Sequence, residues 1–162
     1  MAKAKVISMD LIKELRDKTS AGVMDAKRAL EECNGDMGKA VDWIREKGIQ
    51  RAEKKADREA KQGLIASYVH QGSQVVALVE LNCETDFVAR TDAFIKLGKE
   101  LAMQVASMKP ATVDELLAQQ YIRDAKLTVR DLVKSTAGTV GENIVVTRLM
   151  RMAVGETAEQ AA

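Results

Sequence analysis

The chain has 162 residues, with 25 Lys and Arg against 24 Asp and Glu and a single His, so its formal charge is only +1. That balance argues against a nucleic-acid coat or a polybasic membrane binder, both of which need a large positive excess. With 46% hydrophobic and 30% charged residues the chain can build a core and remain soluble, but two Phe, two Tyr and one Trp leave most packing to aliphatic side chains.

Met1 to Lys5 is charged and no apolar stretch follows it, so no secretion signal is expected. The longest apolar run, Val75 to Val79, is far too short to cross a bilayer. Cys33 and Cys83 stand fifty residues apart without a CxxC pattern or a His cluster. A cytoplasmic protein with two reduced thiols is the expectation.

The first fifty residues read as three short helices. Ser8 caps the first, Asp10 lies in its first turn, and Leu11, Ile12 and Leu15 form its apolar stripe. Thr19 to Gly22 breaks it. A second helix runs from about Val23 to Cys33 with Val23, Ala26 and Leu30 on one face. Asn34-Gly35 is a turn, and Asp36 caps a third helix carrying Met37, Ala40, Val41 and Ile44, which Gly48 is expected to end in the left-handed conformation. Together these make a small bundle over residues 1–50. Met24 lies off the apolar stripe, near Lys27 and Arg28. It reads either as a contact surface for another protein or as one of the exposed apolar residues that every protein carries.

Arg51 to Lys61 mixes basic and acidic residues, which suits a solvated helix laced with i,i+4 pairs better than an RNA-contacting one. Residues 51–62 therefore read as a helical linker. From Gly63 the period changes to alternation. Leu64 to His70 and Val75 to Leu81 form a hairpin around Gln71 to Gln74. His70 has no ligand-spaced partner and reads as an ordinary strand-end residue.

A helix follows from Asp92, capped by Thr91, with Phe94, Leu97, Leu101, Val105 and Met108 as its stripe and Pro110 beyond its end. Thr112 and Glu115 form a capping box for a short helix. Thr128 and Asp131 form a looser one, with Leu127 and Leu132 at the positions of a hydrophobic staple; Gly138 and Gly141 punctuate that helix. Asn143 to Val154 is a last strand, with Ile144, Val146, Arg148, Met150 and Met152 on one face and Val145, Thr147, Leu149 and Arg151 on the other. Residues 155–162 form a frayed tail. The fold class is α+β, with an N-terminal three-helix bundle, then residues 63–154 as a three-stranded, mostly antiparallel sheet packed with helices. One fairly apolar sheet face is left over, which invites pairing with a second copy.

No catalytic set is legible. One His leaves no room for a Ser/His/Asp arrangement. Gly35 to Ala40 has its glycines too close for a phosphate loop, and Ala40 lacks the metal-binding hydroxyl. Nothing holds paired carboxylates in an apolar pocket. A binding protein rather than an enzyme is expected, with no metal or cofactor of its own. The unusual segment is Glu80 to Arg90. There an aromatic and a carboxylate sit side by side at a strand-to-helix corner, where side chains are held by the scaffold yet reach outward. The alternative is that Phe87 tucks under the corner while Asp86 caps the turn.

Leu15 to Leu30, reading Leu-Arg-Asp-Lys-Thr-Ser-Ala-Gly-Val-Met-Asp-Ala-Lys-Arg-Ala-Leu, resembles the amino-terminal signature of the elongation factor Ts family. Glu80 to Val88, centred on Thr85-Asp86-Phe87-Val88, resembles the second signature, and Gly141 to Val146 a third family segment. The resemblance covers nearly the whole chain. It implies a guanine-nucleotide exchange factor for the translational GTPase elongation factor Tu. It also implies a ubiquitin-associated-like bundle that grips the GTPase through Arg16, Thr19, Gly22, Met24 and Lys27. Thr85, Asp86, Phe87 and Val88 would then work at the partner's magnesium site, Phe87 wedging between helices and Asp86 holding a loop. Ser20 stands where the family commonly has glycine and Val23 where it has methionine. The second sheet subdomain and helical hairpin of longer members are missing, so the chain resembles the short form, which implies a homodimer. No direct nucleic-acid or membrane contact is implied. The competing class is a ubiquitin-associated-like adaptor without exchange activity, which would not need the Thr85 to Val88 corner.

Overall fold

The computed structural model describes residues 7–156. Three helices come first: α1 (Met9–Thr19), α2 (Val23–Glu32) and α3 (Met37–Glu53). Each begins where its local chemistry predicts. Ser8 accepts the Leu11 N–H, and Asp36 accepts the Lys39 N–H at 3.0 Å. These caps satisfy amide donors that the first turn leaves unpaired. The Gly35–Ala40 stretch is thus a helix start.

Ile12, Leu15, Ala26, Ala29, Leu30, Ala40 and Ile44 form the bundle's buried core. Val23 does not join it and is exposed, as Met24 is. The expected end of the third helix at Gly48 is overturned. α3 continues to Glu53, and Gly48 is buried against α7 (Val129–Val140). A Cβ on Gly48 would meet the Ser135 carbonyl at 2.9 Å, and one on Gly138 would meet the Gly48 carbonyl at 2.1 Å. Gly138 therefore does not punctuate α7 but lets the two helices cross with their backbones in contact. Gly141, at φ 81°, is the residue that ends α7 in the left-handed region. The stretch 51–62 is helical only through Glu53; turns occupy 54–57.

The sheet has strand order β1 (Gln62–Val69), β2 (Val75–Cys83), β5 (Val145–Ala153), all antiparallel. α5 (Asp92–Met108) lies across one face. Phe94, Leu97, Leu101 and Val105 are buried there, together with Ala66, Ala77, Val79, Leu81 and Val146. Met108, expected in that stripe, is exposed.

The expected alternation of β5 is also overturned. Glu80 pairs with Arg148 while Leu81 pairs with Val146, so β5 carries one extra residue. Such a bulge swaps the faces beyond it. Val146 points to the core, but so do Leu149 and Arg151, while Arg148, Met150 and Met152 face out. The buried Arg151 donates from Nε to the Ala106 carbonyl at 3.1 Å and pairs with Glu156. Glu156 also takes Lys109 at 3.0 Å, so this part of the expected frayed tail is tied down. Residues 157–162, like Met1 to Lys5, lie outside the described residues.

Two small elements connect the helices: α6 (Val113–Ala118) and the hairpin β3 (Gln120–Tyr121) with β4 (Asp124–Thr128). Alternation did not foresee this two-stranded piece. It hangs on Gln104, fully buried on α5, whose amide donates to Gln119 Oε1 and the Gln120 carbonyl and accepts the Ile122 N–H. The reciprocal box at Thr112 and Glu115 is only half formed, since Glu115 takes the N–H of Ala111 instead. The Thr128/Asp131 box is complete.

Candidate partner-binding site

The first candidate surface is the α1–α2 turn. Ser20 adopts φ 57° and donates its N–H to the Arg16 carbonyl at 2.7 Å. Thr19 donates its hydroxyl to the Leu15 carbonyl at 2.7 Å and accepts the Ala21 N–H at 3.3 Å. Arg16 Nε donates to the Ala21 carbonyl. Thus Arg16 and Thr19 build the turn as well as bordering it. Gly22 starts α2 with φ −63°, and nothing lies within 4 Å of where its Cβ would be. Neither geometry nor crowding within this chain demands glycine there. Met24 is 71% exposed, and Lys27 carries only a long ion pair to Glu31 at 3.8 Å. Behind this surface Asp25 takes a two-pronged ion pair from Arg51 of α3, at 2.6 and 2.8 Å. The Arg51 hydrogen bonds hold the Asp25 carboxyl below the usual carboxylate range.

The second surface is the corner after β2. Thr85 caps the four-residue helix α4 (Asp86–Ala89), accepting the Val88 N–H. Val88 and Ala89 pack against the main core. Asp86 does not cap; it pairs with Arg90 at 2.9 Å. Phe87 is 79% exposed, so the reading in which its ring tucks under the corner is overturned. The four residues therefore divide: Thr85 and Val88 anchor the corner, while Phe87 and the half-exposed Asp86 project from it. Cys83 donates its thiol to the Thr85 carbonyl, and burial pushes its pKa up, so it stays a thiol. Both cysteines are free.

One anchor has no local sequence signal. The Glu142 carboxylate accepts the N–H of Glu84 at 3.1 Å, the N–H of Thr85 at 2.9 Å and the Thr85 hydroxyl at 2.6 Å. In return the Glu84 carboxylate accepts the Asn143 N–H at 2.7 Å. Only the resemblance of Gly141 to Val146 to a family segment marked this region.

A cleft of about 280 Å³ between bundle and core is lined by Ile44, Arg45, Leu97, Glu100, Tyr121 and Leu132 among others. Tyr121 donates to Glu100 at 2.7 Å, and burial raises its pKa. That interaction leaves the phenol protonated. Among the described residues no three His, Cys, Asp or Glu side chains are placed to hold a metal ion, and no helix is long and apolar enough to cross a membrane.

The family model for elongation factor Ts matches residues 84–161, a span that includes the Phe87 corner and Glu142. Elongation factor Ts of Oleidesulfovibrio alaskensis is 42% identical to this chain, over 92% of the chain and 98% of that relative. The chain belongs to the elongation factor Ts family. Elongation factor Ts of a Picosynechococcus strain is 43% identical over 95% of the chain and 92% of the relative. That of a Nostoc strain is 51% identical over 91% of the chain but only 47% of the relative. The family thus contains members much longer than this one. The match to the O. alaskensis elongation factor Ts runs over 194 aligned positions, more than this chain has residues, so that relative carries segments without a counterpart here. As a member of this family the protein is a translation elongation factor.

Proposed function

We propose that this chain is the guanine-nucleotide exchange factor of elongation factor Tu, acting in the cytoplasm and catalysing no bond chemistry itself. The observation that carries this reading is the Phe87 ring, 79% exposed on a corner whose neighbours are anchored. An exchange factor works by binding the nucleotide-free partner more tightly than the GDP-bound one, and the coupling is reciprocal. Every ~1.4 kcal/mol of that preference weakens GDP about tenfold. Because the ring is open to water in the free chain, its burial is gained on complex formation, worth about 1.5–3 kcal/mol. Phe87 wedges between helices of the partner and Asp86 holds a partner loop. Together they disturb the elements that order the partner's Mg²⁺ and diphosphate, and loss of those contacts supplies the remaining preference. The bundle, ubiquitin-associated-like in this reading, grips the GTPase through the turn bearing Arg16, Thr19, Gly22, Met24 and Lys27.

The test is GDP release from elongation factor Tu, followed by stopped flow with fluorescent GDP. Phe87→Ala leaves the fold intact, since the ring supports little of its own chain, and slows release by at least about tenfold. Release at the wild-type rate removes Phe87 as the lever. A wild-type chain that does not speed release above the rate of elongation factor Tu alone refutes the exchange reading and leaves an adaptor without exchange activity.

The same reading includes a homodimer formed through the open sheet face. Opposite α5, one apolar row, Val69–Val76–Met152, crosses the three strands, and the row beside it, Ser67–Leu78–Met150, is apolar on β2 and β5. Val69, Met150 and Met152 are exposed there, as is Ile65 in the next row. Monomers seldom leave an apolar patch of this kind in water.

A further inference from the structure

A four-residue helix cannot hold its own direction. Too few hydrogen bonds form within one turn to offset the cost of nucleating it. The orientation of α4, and with it that of Phe87, must come from outside. Val88 and Ala89 supply apolar contact from below. The polar hold comes from the turn between α7 and β5, far away in sequence. There Gly141, in the left-handed conformation, folds the chain back so that Glu142 faces the end of β2. All three hydrogen-bond partners of the Glu142 carboxylate belong to Glu84 and Thr85, the two residues that lead into α4. Thr85 is also the cap of that helix, so its hydroxyl donates to Glu142 and accepts the Val88 N–H at once.

The hold is reciprocal. Glu84 accepts the Asn143 N–H, and Arg58 approaches the same carboxylate at 3.4 Å. The buried Asn143 amide donates to the carbonyls of Ala56 and Arg58, and Lys55 donates to the Gly141 carbonyl. The segment leaving the bundle, the α7–β5 turn and the corner are thereby tied at one point.

We propose that Glu142 is a positioning residue for nucleotide exchange: its carboxylate, through three hydrogen bonds to Glu84 and Thr85, fixes the direction in which α4 presents Phe87 to the partner. This rests on the exchange reading above. A lever that must enter a gap between packed helices tolerates little misdirection, and misplacement by an ångström is enough to cost orders of magnitude in rate.

The experiment is a double-mutant cycle on the full chain with elongation factor Tu and fluorescent GDP, using Glu142→Ala, Phe87→Ala and both together. Hydrogen exchange of residues 84–91 serves as a second readout. Expected are a folded Glu142→Ala with faster amide exchange confined to the corner and GDP release slowed at least about tenfold. The double variant is then no slower than Phe87→Ala, because Glu142 acts only through the ring. Glu142→Gln keeps an acceptor for the two N–H groups but turns a donor toward the Thr85 hydroxyl, and falls between wild type and Phe87→Ala. It carries the test should Glu142→Ala fail to fold. Wild-type release from either folded Glu142 variant, or losses that multiply in the double variant, overturns the inference. If Phe87→Ala promotes GDP release at the wild-type rate, the lever role of the ring has failed and the positioning role falls with it. If the wild-type chain does not speed release above that of elongation factor Tu alone, the exchange reading itself has failed.

Discussion

Single residues carry contact only where the scaffold frees them from structural work. Arg16, Thr19, Thr85 and Val88 each have a partner within their own chain, whereas Met24 and Phe87 are exposed. Met24→Asp therefore leaves the bundle's melting temperature within a degree or two, yet weakens binding to elongation factor Tu. Isothermal calorimetry showing equal affinity would remove this surface from the account. Ser20 is informative in another way. It is held at φ 57°, a conformation that costs a side-chain-bearing residue about 1 kcal/mol and glycine almost nothing. Glycine would hold this conformation without that cost. Ser20→Gly is expected to raise stability by ~0.5 kcal/mol in urea denaturation, part of the relief being offset by the freer unfolded chain.

At the level of elements, what matters is how close two backbones can come. α3 and α7 cross where Gly48 meets Gly138, and a methyl group on Gly138 would fall 2.1 Å from the Gly48 carbonyl oxygen. Gly138→Ala forces the helices apart and should cost at least ~1–3 kcal/mol by thermal or denaturant unfolding. The Lys134–Glu53 ion pair beside the crossing is exposed and adds little. The α2–α3 link behaves differently with pH. The carboxyl of Asp25 titrates below its ordinary value because Arg51 hydrogen-bonds the charged form. A group so depressed stabilises the fold above the unfolded carboxylate range, and that contribution is lost as pH falls through the folded value. Asp25→Asn should thus be less stable than wild type at pH 7 by roughly 0.2–1 kcal/mol, the range for a partly exposed pair. The gap should close in melts taken below about pH 4.

For the whole molecule, the organising fact is a sheet with one face covered and one bare. α5 occupies the first, and no described element occupies the second. The third row of the bare face, Ile65–Glu80–Arg148, holds an ion pair, so the apolar area is bordered on one side by charge. In the proposed homodimer a second copy would meet this face by two-fold symmetry. Met152→Asp, at a side chain already 61% exposed, should leave the monomer folded and shift the light-scattering mass from two chains toward one. A mass of one chain for the wild type at micromolar concentration would refute the dimer.

Helix starts were legible because a cap is decided within four residues: Ser8, Asp36, Thr91, Thr112 and Thr128 all accept the amide three positions on. The hairpin and the α5 stripe were legible for the same reason, since periodicity is a property of one segment. Other features were not. Gly48 resembles a helix terminator until Gly138 is seen against it, the faces of β5 reverse at a bulge visible only beside β2, and Glu142 is an unremarkable acid until the chain folds it onto Thr85. The exposure of Phe87 belongs to the same group, because whether a ring at a corner is buried depends on what else arrives there. Local chemistry alone determined where the capped helices begin and most of the apolar stripe of α1, α3 and α5. Distant parts of the chain, brought together by packing, decided which glycine ends a helix, which way a strand faces and where the aromatic side chain points.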